Sequence, residues 1–159
     1  MLAMGGRAPE FTLPDQDETS VSLSTFLRHG PLLLYFYPAD FTLGCTREAC
    51  WIRDLYPEIQ QAGLDVAGVS PQSPASHGAF RKKYRLPFTL LSDLDKCVIR
   101  MYDVQGPFGF GVHRTTYLID QARHIRAAVL ADFRIGQHEA FIRRAVALSA
   151  GSARSERSG

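Results

Sequence analysis

Cysteine is scarce in this chain, with three thiols among 159 residues, at positions 45, 50 and 97. A chain of this length buries a core without staples, so an odd, small number of thiols argues against a structural disulfide framework and points to catalytic use. An excess of charge is also missing: eighteen basic against sixteen acidic side chains leave a formal net charge of +2. That balance excludes the strong basic surplus of a nucleic-acid binder and an acidic tail. Long apolar runs are absent too. The longest, PLLLYFYP from Pro31, is far below the roughly 20 residues of a membrane span, and MLAMGGRAPEF has no signal-peptide core. A soluble, cytoplasmic protein with no membrane partner is expected. His29, His77, His124 and His138 lie scattered in polar segments, with no spacing that suggests a metal site. Repeats and interdomain linkers are lacking as well. We expect one domain over residues 1–150 and a disordered tail over 151–159, where GSARSERSG has no apolar anchor.

What is present reads as alternating strands and helices. Residues 10–27 alternate apolar and polar positions on both sides of DQDET, as a hairpin does, and end in a short helical turn at SLSTF. Leu32 to Tyr37 form a continuous apolar run between Gly30-Pro31 and Pro38, the pattern of a strand covered on both faces. Trp51, Ile52, Leu55, Tyr56 and Ile59 then follow helical spacing, with Thr42 as N-cap and Gly63 as stop. Pro57 is expected to kink that helix or end its first section, which would ease its unwinding. Strands follow at 64–70 and 88–93, a helix at 73–86 with Ser73 as cap and Pro74 at its first position, and a short helix at 94–104. Beyond the loop QGPFGFG, strands at 114–120 and 124–132 precede a helix from Gln137 to Leu148. The order is βαβ followed by ββα, an α/β domain with a mixed sheet flanked by helices, which is the thioredoxin-like arrangement with an N-terminal β-hairpin extension.

The chemistry concentrates in PADFTLGCTREAC, from Pro38 to Cys50. Cys45 falls in the first turn of a helix directly after a strand, where unpaired backbone N–H groups and the positive end of the helix dipole favour a thiolate. Thr42 can direct its hydroxyl into the same turn, where it can both donate to and accept from a bound oxygen, while Pro38 stiffens the facing loop. Singly, Thr42 is as well explained as a helix cap and Pro38 as a strand end. Glu48 taken alone is an ordinary first-turn acid, and Arg114 an edge charge at a strand start. Phe108 and Phe110 suit either a pocket wall or packing at the sheet margin. His113 neighbours Arg114, but adjacent positions of a regular strand point to opposite faces, so the two are not expected to line one pocket.

Taken together, PADFTLGC resembles the Pro-x-x-x-Thr-x-x-Cys signature of the peroxiredoxins, and Thr46, Glu48 and Cys50 extend the match to CTxEAC. The stretch YFYPADFTLGCTREAC is most similar to the peroxiredoxin Q, or bacterioferritin comigratory protein, branch, and APEFTLPDQD, FTLLSD and RTTYLID carry the likeness over most of residues 8–148. Leu43 departs from it, since proline or serine often stands at that position. The resemblance implies a thiol peroxidase acting on hydrogen peroxide and organic hydroperoxides, with Cys45 as the peroxidatic residue. Thr42, Pro38 and Arg114 would complete its catalytic set, and Glu48 would orient the arginine. It further implies that Cys50 resolves the oxidised Cys45 in an intramolecular disulfide, that a thioredoxin or glutaredoxin-like dithiol recycles the protein, that no cofactor is needed, and that the chain is a monomer or weak dimer.

Cys50 read without the resemblance is a buried apolar residue, and Cys97 a core or surface cysteine or a rival resolver. Two residues five apart on an intact helix have Cα atoms about 8.7 Å apart on different faces, beyond the roughly 4.4–6.8 Å of a disulfide. A Cys45–Cys50 bond therefore requires Thr42 to about Trp51 to unwind. Two other activities fit less well. A thiol-disulfide oxidoreductase would show C-x-x-C at the helix start, which this chain lacks. A redox-switched binding protein or chaperone would use the same unwinding to expose a surface.

Overall fold

A computed structural model describes residues 1–158, with the backbone alone at 153, 154, 156 and 157. The chain opens with the hairpin β1 (Thr12–Pro14) and β2 (Ser20–Ser22), in which Leu13 faces Val21. Its turn closes on Asp15, whose Oδ1 accepts the backbone N–H groups of Asp17 at 2.8 Å and Thr19 at 2.9 Å, an Asx-type turn. Helix α1 (Leu23–Leu27) follows, with the Ser22 hydroxyl accepting from the Thr25 N–H as its cap.

The other strands form one sheet in the order β5-β4-β3-β6-β7. Strand β3 (Leu32–Phe36) is central, parallel to β4 (Asp65–Ser70) and antiparallel to β6 (Thr115–Ile119). Outside these lie β5 (Thr89–Ser92), parallel to β4, and β7 (Ile125–Leu130), antiparallel to β6. The parallel half is linked by α2 (Leu43–Gln61) and α3 (Pro74–Tyr84), α4 (Cys97–Met101) leads to the antiparallel half, and α5 (Ile135–Arg157) closes the chain. This is the expected thioredoxin-like mixed sheet with a hairpin extension.

Every residue of β3 is at most 1% exposed. Strand alternation sends Leu32, Leu34 and Phe36 toward the hairpin, α1 and α4, and Leu33 and Tyr35 toward α2, α3 and α5. Each such side chain stabilises the fold by roughly 1.5–3 kcal/mol on burial. A one-residue slip of β3 would exchange the two sets, so the point where the chain leaves the sheet for α2 is tightly held.

The helix signals act with different force. At the end of α2 the Gly63 N–H bonds to Gln60 O at 2.9 Å and the Leu64 N–H to Ile59 O at 3.1 Å, a Schellman closure that uses the positive φ of Gly63, 79°. Ser73 and Pro74 start α3 as expected. Pro57, by contrast, neither ends nor divides α2. Ile52, Leu55 and Ile59 are buried on both sides of it, and their packing outweighs the one hydrogen bond that proline removes. Helix α4 is shorter than 94–104, because Lys96 at φ 59° and Asp103 at φ 54° leave the helical region on either side of it. Helix α5 runs past Leu148 to Arg157, so the tail expected to be disordered is helical through that residue, with Gly159 outside the described residues. Propagating an existing helix costs far less than nucleating one. Among the described residues no helix is long and apolar enough to cross a membrane.

Candidate active site

Three chain segments converge at the exit from β3. Thr42 takes the N-cap position of α2 with extended φ/ψ, yet its side chain does not cap the helix. Its hydroxyl donates to Ala39 O at 3.0 Å instead, so both the free N–H groups of the first turn and the Thr42 lone pairs stay available to an incoming oxygen. Cys45 is in that first turn and 2% exposed. Packing is close at its neighbour Gly44, where a Cβ would stand 3.2 Å from Arg114 Nη2 and 3.2 Å from Ile135 Cδ1.

Arg114 bridges two residues of α2. Its Nη2 donates to Cys45 Sγ at 3.3 Å and its Nη1 to Glu48 Oε1 at 2.9 Å. Burial is the largest influence on the guanidinium and opposes its charge, but Glu48 and Cys45 together outweigh it and its pKa is raised. Glu48 is fully buried, and that burial, against the pull of Arg114, pushes its pKa up to about 7. Its second oxygen, Oε2, has no hydrogen-bond partner and lies 3.9 Å from His138 Nδ1. The buried His138 ring is held by the Thr116 hydroxyl at Nδ1, 2.9 Å, and donates from Nε2 to Ala131 O, 3.1 Å. Burial depresses its pKa, so the ring faces Glu48 uncharged.

These groups open into a cavity of about 760 Å³, lined in part by Pro38, Thr42, Cys45, Arg47, His113 and Arg114. Of the residues expected to be catalytic, Pro38, Thr42, Cys45 and Arg114 meet at the cavity, with Glu48 behind the arginine, while Cys50 is not among the lining residues. Phe110 lines the mouth, while Phe108 is 97% exposed and outside it. The expectation for His113 is corrected: it lines the cavity with Arg114, because regular pairing in β6 begins only at Thr115. Both are arranged by Asp132, whose Oδ1 accepts the Arg114 backbone N–H at 2.8 Å and whose Oδ2 pairs with His113 Nδ1 at 2.8 Å. Asp132 and His138 could not be singled out from the sequence, since a lone acid after a strand and a lone histidine in a helix carry no local signal.

Cys50 is half-buried and Cys97 exposed, and all three cysteines are free. Cys45 and Cys50 sit on one unbroken helix. Cys97 begins α4, whose Val98 and Ile99 pack on the opposite side of the sheet from Cys45. Among the described residues no group of three or more His, Cys, Asp or Glu side chains could hold a metal ion.

Comparison with known proteins identifies the family. The AhpC/TSA family model matches residues 4–128. A chloroplastic peroxiredoxin Q of Triticum aestivum is 50% identical over 121 residues, 76% of this chain and 55% of the relative; the chain thus spans about half the length of the plant proteins it matches. Peroxidoxin BcpB from Mycobacterium tuberculosis superposes with a TM-score of 0.87 at 32% identity, covering 93% of this chain and 98% of that one. The bacterioferritin comigratory protein of Xanthomonas campestris, whose alkyl peroxide reduction was studied through trapped intermediate and ligand complexes, superposes at 0.78 and 29% identity, covering 90% and 92%.

Proposed function

The chain belongs to the AhpC/TSA family, with peroxiredoxin Q and bacterioferritin comigratory relatives, and on that premise we propose that it is a thiol-dependent peroxidase for hydrogen peroxide and organic hydroperoxides. The observation that carries the reading is the 3.3 Å contact of Arg114 Nη2 with Cys45 Sγ at the floor of an open cavity. A guanidinium there holds the sulfur in place and can also contact the oxygen it attacks. Cys45 Sγ attacks one peroxide oxygen in line, the O–O bond breaks, and its electron pair leaves on the second oxygen, which takes a proton to become water or an alcohol. Arg114 and the free N–H groups of the first turn stabilise the developing oxyanion, and Thr42 accepts from a peroxide hydroxyl. Cys45 is left as a sulfenic acid.

Cys50 then attacks Cys45 Sγ, forming the disulfide and releasing water, after residues 42–51 unwind. The half-buried position of Cys50, one helical turn and a half from Cys45, supports this role, and the far side of the sheet disfavours Cys97. A thioredoxin or glutaredoxin-like dithiol supplies two electrons to restore both thiols, in a protein that acts as a monomer or weak dimer. The cytoplasm is the proposed compartment, since an exposed unpaired Cys97 suits reducing surroundings.

Single-turnover consumption of hydrogen peroxide by the reduced protein tests the reading. Cys45→Ser abolishes it, whereas Cys50→Ser keeps one turnover and accumulates sulfenic acid, trapped with a dimedone probe. Undiminished peroxide consumption by Cys45→Ser would overturn the assignment.

A further inference from the structure

The loop that joins β3 to α2 carries Pro38 and Thr42 into the cavity, but it is anchored elsewhere. Asp40 is 6% exposed and turns away from the cavity toward α3. Its Oδ1 accepts the Tyr37 hydroxyl at 2.6 Å, and its Oδ2 accepts the Ser76 hydroxyl at 2.7 Å and meets His77 Nδ1 at 2.7 Å. The other ring nitrogen of the fully buried His77, Nε2, lies 3.0 Å from Leu91 O on β5. His77 thereby ties the loop to β5 as well as to α3. Phe41, at φ 63°, extends the attachment, with its ring 5.2 Å from Phe80 and Lys83 Nζ 5.8 Å above it. Neither Asp40 nor Phe41 lines the cavity that Pro38 and Thr42 flank.

The first turn of α2 is held from the β6 side by Arg114, through Cys45 and Glu48, and those two contacts must break when α2 unwinds. The Asp40–His77 contact lies outside the unwinding segment. We propose that His77 is a positioning residue for the peroxidase reaction and that the Asp40–His77 clasp is the fixed hinge at which the opening of α2 stops. In the closed form the clasp keeps Pro38 and Thr42 set against Cys45. In the open form it prevents the unwinding from running back into β3. This rests on the reading of Cys45 as the reacting thiol and Cys50 as its partner.

A weakened clasp loosens Pro38 and Thr42 in the closed form and lets unwinding run further in the open form, where it adds chain entropy; the balance shifts toward the open form and two rates move in opposite directions. Attack on peroxide needs the closed form and slows; disulfide formation needs the open form and quickens. Oxidation of the sulfenic acid by a second peroxide, which yields a sulfinic acid and water, also needs the closed form and becomes rarer.

The test uses the full chain, wild type and the variants His77→Leu, His77→Asn and Ser76→Ala. Stopped-flow measurement gives both rates, and mass spectrometry gives the fraction of sulfinic Cys45 against hydrogen peroxide concentration. His77→Leu is expected to slow Cys45 oxidation about tenfold or more, the scale of a lost hydrogen bond to a charged group, while disulfide formation rises several-fold and more peroxide is needed for sulfinic acid. Asn keeps a donor toward Asp40 and falls between. Ser76→Ala removes one donor with no loss of core volume, shifts both rates the same way by less, and serves if His77→Leu does not fold. Two rates that stay unchanged, or fall together with the melting temperature, overturn the clasp. Absence of a Cys45–Cys50 disulfide in the wild type overturns the underlying reading and the clasp with it, so the two failures are told apart.

Discussion

Arg114 does two things that lysine cannot do at once. Its planar fork reaches Cys45 and Glu48 from separate nitrogens, and an ammonium on a flexible stem offers no such fixed pair. Arg114→Lys is therefore expected to keep the charge and still lower kcat/KM about 10²-fold, in line with the loss of one preorganised donor, in steady-state assays with hydrogen peroxide. The backbone grip of Asp132 makes a related prediction. Asp132→Asn keeps an acceptor for the Arg114 N–H and leaves most activity, whereas Asp132→Ala frees Arg114 and His113 together and lowers kcat/KM about tenfold, roughly 1.4 kcal/mol. Cys45 and Thr42 were identifiable in the sequence because strand end, helix start and thiol follow one another within a few residues. Asp132 was not, because its role exists only once β7 has paired with β6.

In the proposed cycle helix α2 is closed to react and open to form a disulfide, and Glu48 connects that equilibrium to pH. In the closed helix burial holds its pKa up at about 7, against 4.5 for a solvated carboxyl. The closed form therefore binds more protons than the open form between those values. Below about 4.5 both forms are protonated and burial is unopposed; as pH rises to about 7 the open form ionises first and gains, at about 1.4 kcal/mol per unit; above 7 both are ionised and the difference levels off. Hydrogen exchange of residues 43–51, corrected for intrinsic rates, should show easier opening from pH 5 to 7 and a plateau beyond. Glu48→Gln, which keeps an acceptor for Arg114 without titrating, should flatten the profile; an unchanged profile would mean that Glu48 does not set it. Farther along the same helix, Pro57→Ala restores a donor to Arg53 O and should raise stability by about 1–2 kcal/mol, or roughly 3–6 °C in Tm. The helix was foreseen from its apolar spacing. Its continuity through Pro57 was not, because local propensity does not register the buried Ile52 and Ile59 that span the break.

Across the whole molecule the cavity mouth is assembled from distant parts: Leu43 from α2, Phe110 from the loop before β6, and Phe133 from the β7–α5 connection, respectively 80%, 78% and 97% exposed. Such a rim offers contact to a bulky apolar substrate and little to hydrogen peroxide. Phe133→Ser should raise KM for cumene hydroperoxide several-fold and leave that for hydrogen peroxide nearly unchanged; equal effects on both would remove the rim from substrate choice. The order of strands and helices, the central place of β3, the thiol at a helix start and the absence of membrane-length helices are properties of apolar period, turn residues and spacing, all local along the chain. The sequence by itself determined those. It did not determine that the chain around His113 is irregular enough for His113 and Arg114 to share a cavity, that Glu48 is buried with one oxygen unpaired, or that His77 grips Asp40. Each depends on segments far apart in sequence meeting at the exit from β3, and burial and hydrogen-bond partners are assigned only when the sheet and its helices have packed.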